Sequence, residues 1–321
     1  MGFVLGIDGG GTKTVAAIAD RNGDILAQTR TGSTNPNATS KQELEKIFRG
    51  LFSVLEEQLP DSFQKITHLF AGIAGAGNKA NQIFLKEMIK RFVPATTSVV
   101  VEPDTINALY SGTYGKPGIV QISGTGSITY GIDSSLKHAR VGGWGYLLGD
   151  EGSGYDIGRQ GMMAVLKAYD GRGIDTDMSQ KMFTFFKVDN GQDLIQKIYT
   201  SPRPKNEISA LSKIVIQSYH KQDPVAEGII ANVIEEITCS IETLYKKLFS
   251  EHDKVRVVLC GGVFSEKTIS ELIKKSLSKN PHTTVVLPDM PPVGGSIIGA
   301  YVLQGELPTK EMIKNIKGTI Q

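Results

Sequence analysis

At 321 residues the chain exceeds one minimal core and is long enough for two domains. Hydrophobic residues make up 40% and charged residues 21%, the balance of an ordinary soluble globular protein, and no apolar run approaches the ~18 residues of a membrane span. The 35 basic and 33 acidic side chains nearly cancel, which gives no reason to expect nucleic acid or an anionic membrane as a partner.

In chain order, residues 3–7, 15–19 and 25–31 predict three strands, with Asn22-Gly23 as the turn between the last two. Residues 40–58 carry Leu44, Ile47, Phe48, Leu51 and Leu55 at helical spacing. A strand (67–73), a helix (78–92), a strand (98–102) and a short helix (105–111) follow. At 117 the pattern restarts, with strands at 118–122 and 127–132 and a short third near 138–141. A long helical stretch covers 153–249, and its last helix, 225–249, has a wide apolar face that includes Ile229, Val233, Ile237, Ile241 and Leu244. Strand 255–260, helix 266–278, strand 284–287 and helix 294–304 complete the chain. The fold class is therefore α/β: a β-β-β-α-β-α-β-α unit used twice, with helices inserted in the second copy. The expected division is 1–115 and 116–321, at Tyr114-Gly115-Lys116-Pro117, with the final helix a candidate to return to the first lobe.

Two glycine-rich loops carry the chemistry. The first is Gly6-Ile7-Asp8-Gly9-Gly10-Gly11-Thr12-Lys13-Thr14 and the second Ile122-Ser123-Gly124-Thr125-Gly126-Ser127-Ile128-Thr129. Each follows an apolar strand and leads into another strand. A phosphate needs backbone N–H groups with no side chain in the way, which glycine permits. Thr12, Thr14, Thr125, Ser127 and Thr129 add hydroxyls, and Lys13 adds positive charge. Asp8 repels phosphate but suits Mg²⁺ held through water. The plain alternative is a pair of ordinary hairpins with turn glycines. Two such loops point to two lobes facing one nucleotide across a cleft. Thr12 stands where a P-loop needs lysine, and no G-x-G-x-x-G joins a strand to a helix.

Other segments stay open between two roles. Gly261 and Gly262 follow the strand at 255–260; they let an adenine ring approach the backbone, or they make a tight strand-to-helix turn. Asp104, after a strand end, is a base for a substrate hydroxyl or an N-cap for helix 105–111. Gly142 to Gly154 holds the only tryptophan. Trp144 lines a sugar pocket or packs in a core, and Asp150 or Glu151 caps the helix that begins at 153 or faces a ligand. Asn35, in Ser33-Thr34-Asn35-Pro36-Asn37, bonds hydroxyls or starts the helix near 39. Arg140, just ahead of the glycine run, is a cation for an acidic substituent or a solvated strand residue. Cys239 and Cys260 read as buried thiols of a reducing compartment, and the five histidines show no ligand spacing. The first residues lack the basic and apolar regions of a signal peptide, so a cytoplasmic location is expected.

Together these residues resemble the sugar kinase, heat-shock ATPase and actin superfamily over essentially the whole chain. Val258–Phe264 is similar to its adenosine motif, and Pro292-Val293-Gly294-Gly295-Ser296-Ile297-Ile298-Gly299-Ala300 to its second connecting helix. Within it, GIDGGGTKT, STNPN, EPD, SGTGS and above all GGWGYLLGDEGSGYDIG resemble the BadF/BadG/BcrA/BcrD group, and most the N-acetylglucosamine kinases in that group. The resemblance implies two ribonuclease H-like lobes around an ATP cleft, Asp104 as catalytic base, and Asn35, Asp104, Gly143, Trp144 and Asp150 at the sugar. It further implies Gly10, Gly11, Thr12, Lys13, Gly124, Thr125, Gly126 and Ser127 at the ATP phosphates, Gly261 and Gly262 beside the nucleoside, and Asp8 organising Mg²⁺. A homodimer is also expected from the family. The expected reaction is phosphorylation of N-acetylglucosamine at its 6-hydroxyl, with N-acetylmuramic acid, glucosamine and N-acetylmannosamine as rival sugars. The group also holds ATPases that activate CoA-ester dehydratases and reductases through a [4Fe–4S] cluster, which needs thiolates that Cys239 and Cys260 do not offer as a loop pair. The zinc motif of the repressor/open-reading-frame/kinase group is missing too. A non-enzymatic sugar sensor is the third reading, against which Asp104 argues.

Overall fold

A computed structural model describes residues 2–320. The chain divides into two compact units, residues 1–118 with 287–321, and residues 119–286.

The first unit opens with β1 (Phe3–Gly9), β2 (Thr14–Ala19) and β3 (Ile25–Thr31), then α1 (Lys41–Gln58) and the short α2 (Pro60–Phe63). β4 (Ile66–Ile73), α3 (Lys79–Ile89), β5 (Ser98–Glu102) and α4 (Asp104–Thr113) follow. The sheet order is β3-β2-β1-β4-β5, with β1 antiparallel to β2 and parallel to β4. β1 is central, so it is apolar on both faces: Val4, Leu5 and Ile7 are buried. α1 starts where the Ser40 hydroxyl accepts the Glu43 N–H, and it buries Leu44, Phe48, Leu51, Phe52 and Leu55. Each such side chain contributes roughly 1.5–3 kcal/mol of burial. Phe52 stacks on Phe92 at 5.9 Å between centroids.

The second unit holds β6 (Gly118–Ser123), β7 (Ser127–Ile132) and β8 (His138–Gly142). Six helices then intervene: α5 (Gly154–Tyr169), α6 (Met178–Phe186), α7 (Gly191–Thr200), α8 (Pro204–Ala210), α9 (Ser212–His220) and α10 (Pro224–Leu248). β9 (Val255–Cys260), α11 (Lys267–Leu277) and β10 (Thr283–Val286) close it. Its sheet reads β8-β7-β6-β9-β10, the strand order of the first sheet with the insertion placed after the third strand. α10 buries Ile229, Ile230, Val233, Ile237, Ile241 and Leu244 in one core with α5, α6 and α11. Cys260 is buried as expected, whereas Cys239 is exposed: α10 turns it away from that apolar face.

The returning segment is longer than the single helix anticipated at 294–304. α12 (Pro292–Leu303) and α13 (Lys310–Thr319) both belong to the first unit. α12 is apolar all round because it is buried against β1, β4 and α4. It comes so close that a Cβ on Gly6 would lie 2.6 Å from the Ile297 nitrogen. α13 docks on the β2–β3 turn, where Asn315 donates to the Asn22 carbonyl at 3.0 Å. No helix among the described residues is long and apolar enough to cross a membrane.

Candidate active site

In the first unit, β1 and α4 bring two carboxylates together. Asp8 sits near the end of β1, with Oδ1 accepting from Asn107 Nδ2 at 2.8 Å. Burial pushes its carboxyl up, while Asn107 and the Lys13 ammonium pull it down. Asp104 is the first residue of α4, and the N-cap position belongs to Pro103. The helix therefore begins one residue before the expected 105. The Asp104 carboxylate accepts its own backbone N–H and that of Thr105, which leaves further acceptor capacity. Helix-end bonding and a proton-accepting role are thus compatible. Burial first, and the charge of Asp8 second, raise Asp104 to about 6.

Asn107 is fully buried and holds this corner. Its amide nitrogen faces the Ile7 carbonyl at 3.2 Å and the Gly72 carbonyl at 3.0 Å besides Asp8. Gly72 accommodates it, since a Cβ there would meet the amide at 2.2 Å. Sequence reading passed over Asn107; the one signal was its place about one turn after Asp104, which puts both side chains on the same side of α4.

The first loop is a hairpin tip closed by Gly10 N–H to the Lys13 carbonyl at 2.8 Å. Gly11, Thr12 and Lys13 are exposed at that tip, and nothing stands within 4 Å of a Cβ on Gly11. Thr14 departs from the expectation of a phosphate hydroxyl: it is buried and bonded to Thr34 at 2.9 Å. Asn35 is half-buried in a turn, where its Oδ1 accepts the Asn37 N–H at 2.9 Å and packs on Gly75. Its side-chain amide nitrogen is the group left to meet a ligand. The helix after it is capped by Ser40, so Asn35 does not start it.

In the second unit, the β6–β7 hairpin carries the second loop, closed by Gly124 N–H to the Gly126 carbonyl at 2.9 Å. Thr125 is exposed at the tip. Gln121, buried beneath, donates to Ser123 at 3.0 Å and Ser127 at 2.9 Å, and accepts from the Thr129 hydroxyl. Thr129 is therefore spent inside the hairpin and not offered to a ligand. Ser127 accepts from Gln121 and keeps its own O–H to give.

Asp150 is buried at φ +62°, with a Cβ on Gly126 falling 2.8 Å from its Oδ2. Gly145 N–H reaches its Oδ1 at 3.3 Å and Lys205 its Oδ2 at 3.8 Å. Neither Asp150 nor Glu151 caps α5; Ser153 does, accepting from Asp156. Gly143 sits at φ +69° against Ile128. Trp144 is 67% exposed, so it is no core residue, and the Arg140 guanidinium lies 4.2 Å from its ring centre. Gly261, at φ +106°, comes so near the end of β6 that a Cβ would meet the Ser123 carbonyl at 2.4 Å, while Gly262 is open. Both readings of this glycine pair survive, since it makes a tight turn and leaves an exposed backbone. Two grooves run along α10, of about 760 and 670 Å³; the second has Glu151 in its wall, and neither is lined by Asp150, Trp144 or a residue of the two phosphate loops.

The sequence pattern of the BadF/BadG/BcrA/BcrD ATPase family matches residues 5–303. The chain belongs to the BadF/BadG/BcrA/BcrD ATPase family. Among its relatives, the N-acetylmuramic acid/N-acetylglucosamine kinase of Clostridium acetobutylicum is 35% identical over 83% of this chain and 86% of that protein. The N-acetyl-D-glucosamine kinase of Dictyostelium discoideum is 29% identical over 88% and 92%. The fold is that of a solved Chromobacterium violaceum protein, a candidate N-acetylglucosamine kinase (TM-score 0.70, 22% identity, 93% of this chain and 98% of that one). For this family member, the residues that local motifs missed are Asn107, Gln121 and Lys205. Gln121 lies in the strand that leads into the second loop, whereas Asn107 reaches Asp8 across 99 positions and Lys205 meets Asp150 across 55, pairings no spacing rule announces.

Proposed function

We propose that the protein is an ATP-dependent kinase of amino sugars and that it phosphorylates N-acetylglucosamine at the 6-hydroxyl. Asp104 carries the reading: a carboxylate at a strand-to-helix junction, raised to about 6 by burial and by Asp8. Such a group is mostly ionised near neutrality, yet it is a better proton acceptor than an ordinary carboxylate. The names of the two relatives support the substrate class.

In this reading Asp104 takes the proton of the attacking sugar hydroxyl. The hydroxyl oxygen bonds the γ-phosphorus as the bond from that phosphorus to the ADP oxygen breaks, and ADP departs with the electron pair. Backbone amides of the Gly10–Lys13 and Gly124–Ser127 loops, with Lys13 and the hydroxyls of Thr12, Thr125 and Ser127, bind the phosphates. Gly261 and Gly262 admit the nucleoside. Asp150 and Asn35 hold sugar hydroxyls, and Trp144 with Gly143 offers an apolar platform beside them.

The residues present fit a magnesium ion. Asp8 has one carboxylate oxygen committed to Asn107 and the other available, and its burial calls for positive charge. A single carboxylate is enough for an ion that keeps most of its waters. Asp8 would hold it, and it would supply charge neutralisation at the phosphates.

The test is product identification. Wild type with Mg·ATP and N-acetylglucosamine is expected to yield the 6-phosphate by ³¹P NMR. Asp104→Ala is expected to lose at least about 10³-fold in turnover while still binding ATP. Turnover within a few-fold of wild type would remove Asp104 from the role of base.

A further inference from the structure

We infer that Lys205 touches the sugar: with Asp150 it grips one ring hydroxyl, the ammonium donating to the hydroxyl oxygen while the carboxylate accepts the hydroxyl's O–H. This rests on the sugar-kinase reading and adds a specificity-determining residue to the same site.

The pair joins α8 to the loop that precedes α5. Asp150 is buried, and its Oδ1 faces the Gly145 N–H at 3.3 Å. Its Oδ2 faces the Lys205 Nζ at 3.8 Å. That gap exceeds the roughly 2.7–3.2 Å of a hydrogen bond, so neither group spends a bond on the other. Lys205 is nonetheless placed. Its Nζ lies 4.9 Å from the centre of the Tyr146 ring, which meets Tyr155 of α5 edge to face at 5.1 Å. α8 itself is seated on glycines of α5: a Cβ on Gly158 would fall 1.9 Å from the Ile208 carbonyl oxygen, and one on Gly154 2.7 Å from the Ser209 hydroxyl. The Gly154 N–H in turn donates to the Gly124 carbonyl at 2.7 Å, and a Cβ on Gly126 would lie 2.8 Å from Asp150 Oδ2. The pair is therefore fixed beside the second phosphate loop, with 34% of the lysine side chain still open to solvent.

Charge and distance decide what fits between the two groups. An oxygen about 2.8 Å from both Nζ and Oδ2 closes a triangle over the 3.8 Å gap. It must accept from an ammonium that has only donors and donate to a carboxylate that has only acceptors. A hydroxyl does both. A ligand ammonium repels Lys205 and a ligand phosphate repels Asp150, so neither a sugar amine nor the nucleotide phosphates suit this point.

The experiment compares N-acetylglucosamine with its 1-, 3- and 4-deoxy analogues in wild type, Lys205→Met and Lys205→Arg at saturating Mg·ATP, and measures KM for ATP beside them. Methionine keeps an apolar stem near Tyr146 and drops the donors; arginine keeps the charge on a planar fork. In wild type, one analogue is expected to lose about 10–100-fold in kcat/KM. Lys205→Met is expected to lose about as much on N-acetylglucosamine, mainly through KM for the sugar, and at most about threefold more on that analogue, whose hydroxyl is already gone. Lys205→Arg is expected to recover part of the loss on the full sugar, and it carries the same comparison if Lys205→Met does not fold. An equal factor lost on all four sugars overturns the inference and makes Lys205 a structural counterion of Asp150. So does an unchanged KM for the sugar, a rise confined to KM for ATP, or a wild type indifferent to all three deoxygenations. A wild type that phosphorylates no sugar overturns the kinase reading and this inference with it.

Discussion

Asp104 is held against its own preference. Its carboxyl is raised from 3.8 to about 6, so the folded state binds a proton that the unfolded chain releases between those values. Its contribution to stability is complete below about pH 4 and is lost as pH rises through about 6. Asp104→Asn keeps an oxygen for the first-turn N–H groups and removes the buried charge. It is expected to abolish turnover and to stabilise the protein at pH 8 by about 1–3 kcal/mol, read from urea unfolding; a destabilised variant would contradict the burial account. The same shift predicts that kcat/KM for the sugar falls below a pKa of about 6 in wild type, as the base becomes protonated. A profile flat down to pH 5 would detach Asp104 from the proton transfer. Asp104 was legible in the sequence because it follows a strand end. Its partner Asn107 was not, because its contacts with Ile7, Asp8 and Gly72 join three segments far apart in the chain. Asn107→Ala leaves those acceptors without a donor, and it should cost about 2–4 kcal/mol and raise KM for Mg·ATP.

At the scale of elements, the glycines of the two loops and of the turn after β9 do different work, and only part of it could be read from composition. Gly11 and Gly262 have open space around them and leave the backbone accessible. Gly126 makes room for the Asp150 carboxylate, and Gly261 allows the turn after β9 to pass the Ser123 carbonyl. Gly261→Ala meets both a left-handed φ and a 2.4 Å clash with backbone, so it is expected to destabilise by several kcal/mol in urea unfolding. Gly126→Ala has neither problem in its own backbone and is expected to act on KM for the sugar by displacing Asp150. Comparable losses of stability in both variants would refute the distinction. Strands were readable because the three N-terminal ones and their counterparts at 118–142 are short apolar runs bounded by turn residues. α13 was missed because its apolar positions are few, with Ile316 alone fully buried. The boundaries of α5 to α9 were hidden inside one continuous helical pattern. The hydroxyls of Thr14 and Thr129 looked like ligand donors, but each turns inward to a partner that only the folded hairpins supply.

The whole molecule is one sheet plan used twice, β3-β2-β1-β4-β5 and β8-β7-β6-β9-β10, with helices inserted into the second use. That doubling was visible as a restart of the strand pattern at 117. The return of a final helix to the first unit was anticipated as well; that two helices, α12 and α13, return was not, since the sequence pattern at 310–319 announced no helix. Binding of Mg·ATP to the folded state alone should stabilise it by about 2.7 kcal/mol at a hundredfold excess over Kd, with EDTA reducing the gain. The central claim, sugar-dependent phosphoryl transfer, is tested most directly by ADP release with Mg·ATP across N-acetylglucosamine, N-acetylmuramic acid, glucosamine, N-acetylmannosamine, glucose and no sugar. Strong stimulation by N-acetylglucosamine over a low basal rate is the predicted result; hydrolysis indifferent to every sugar would contradict it.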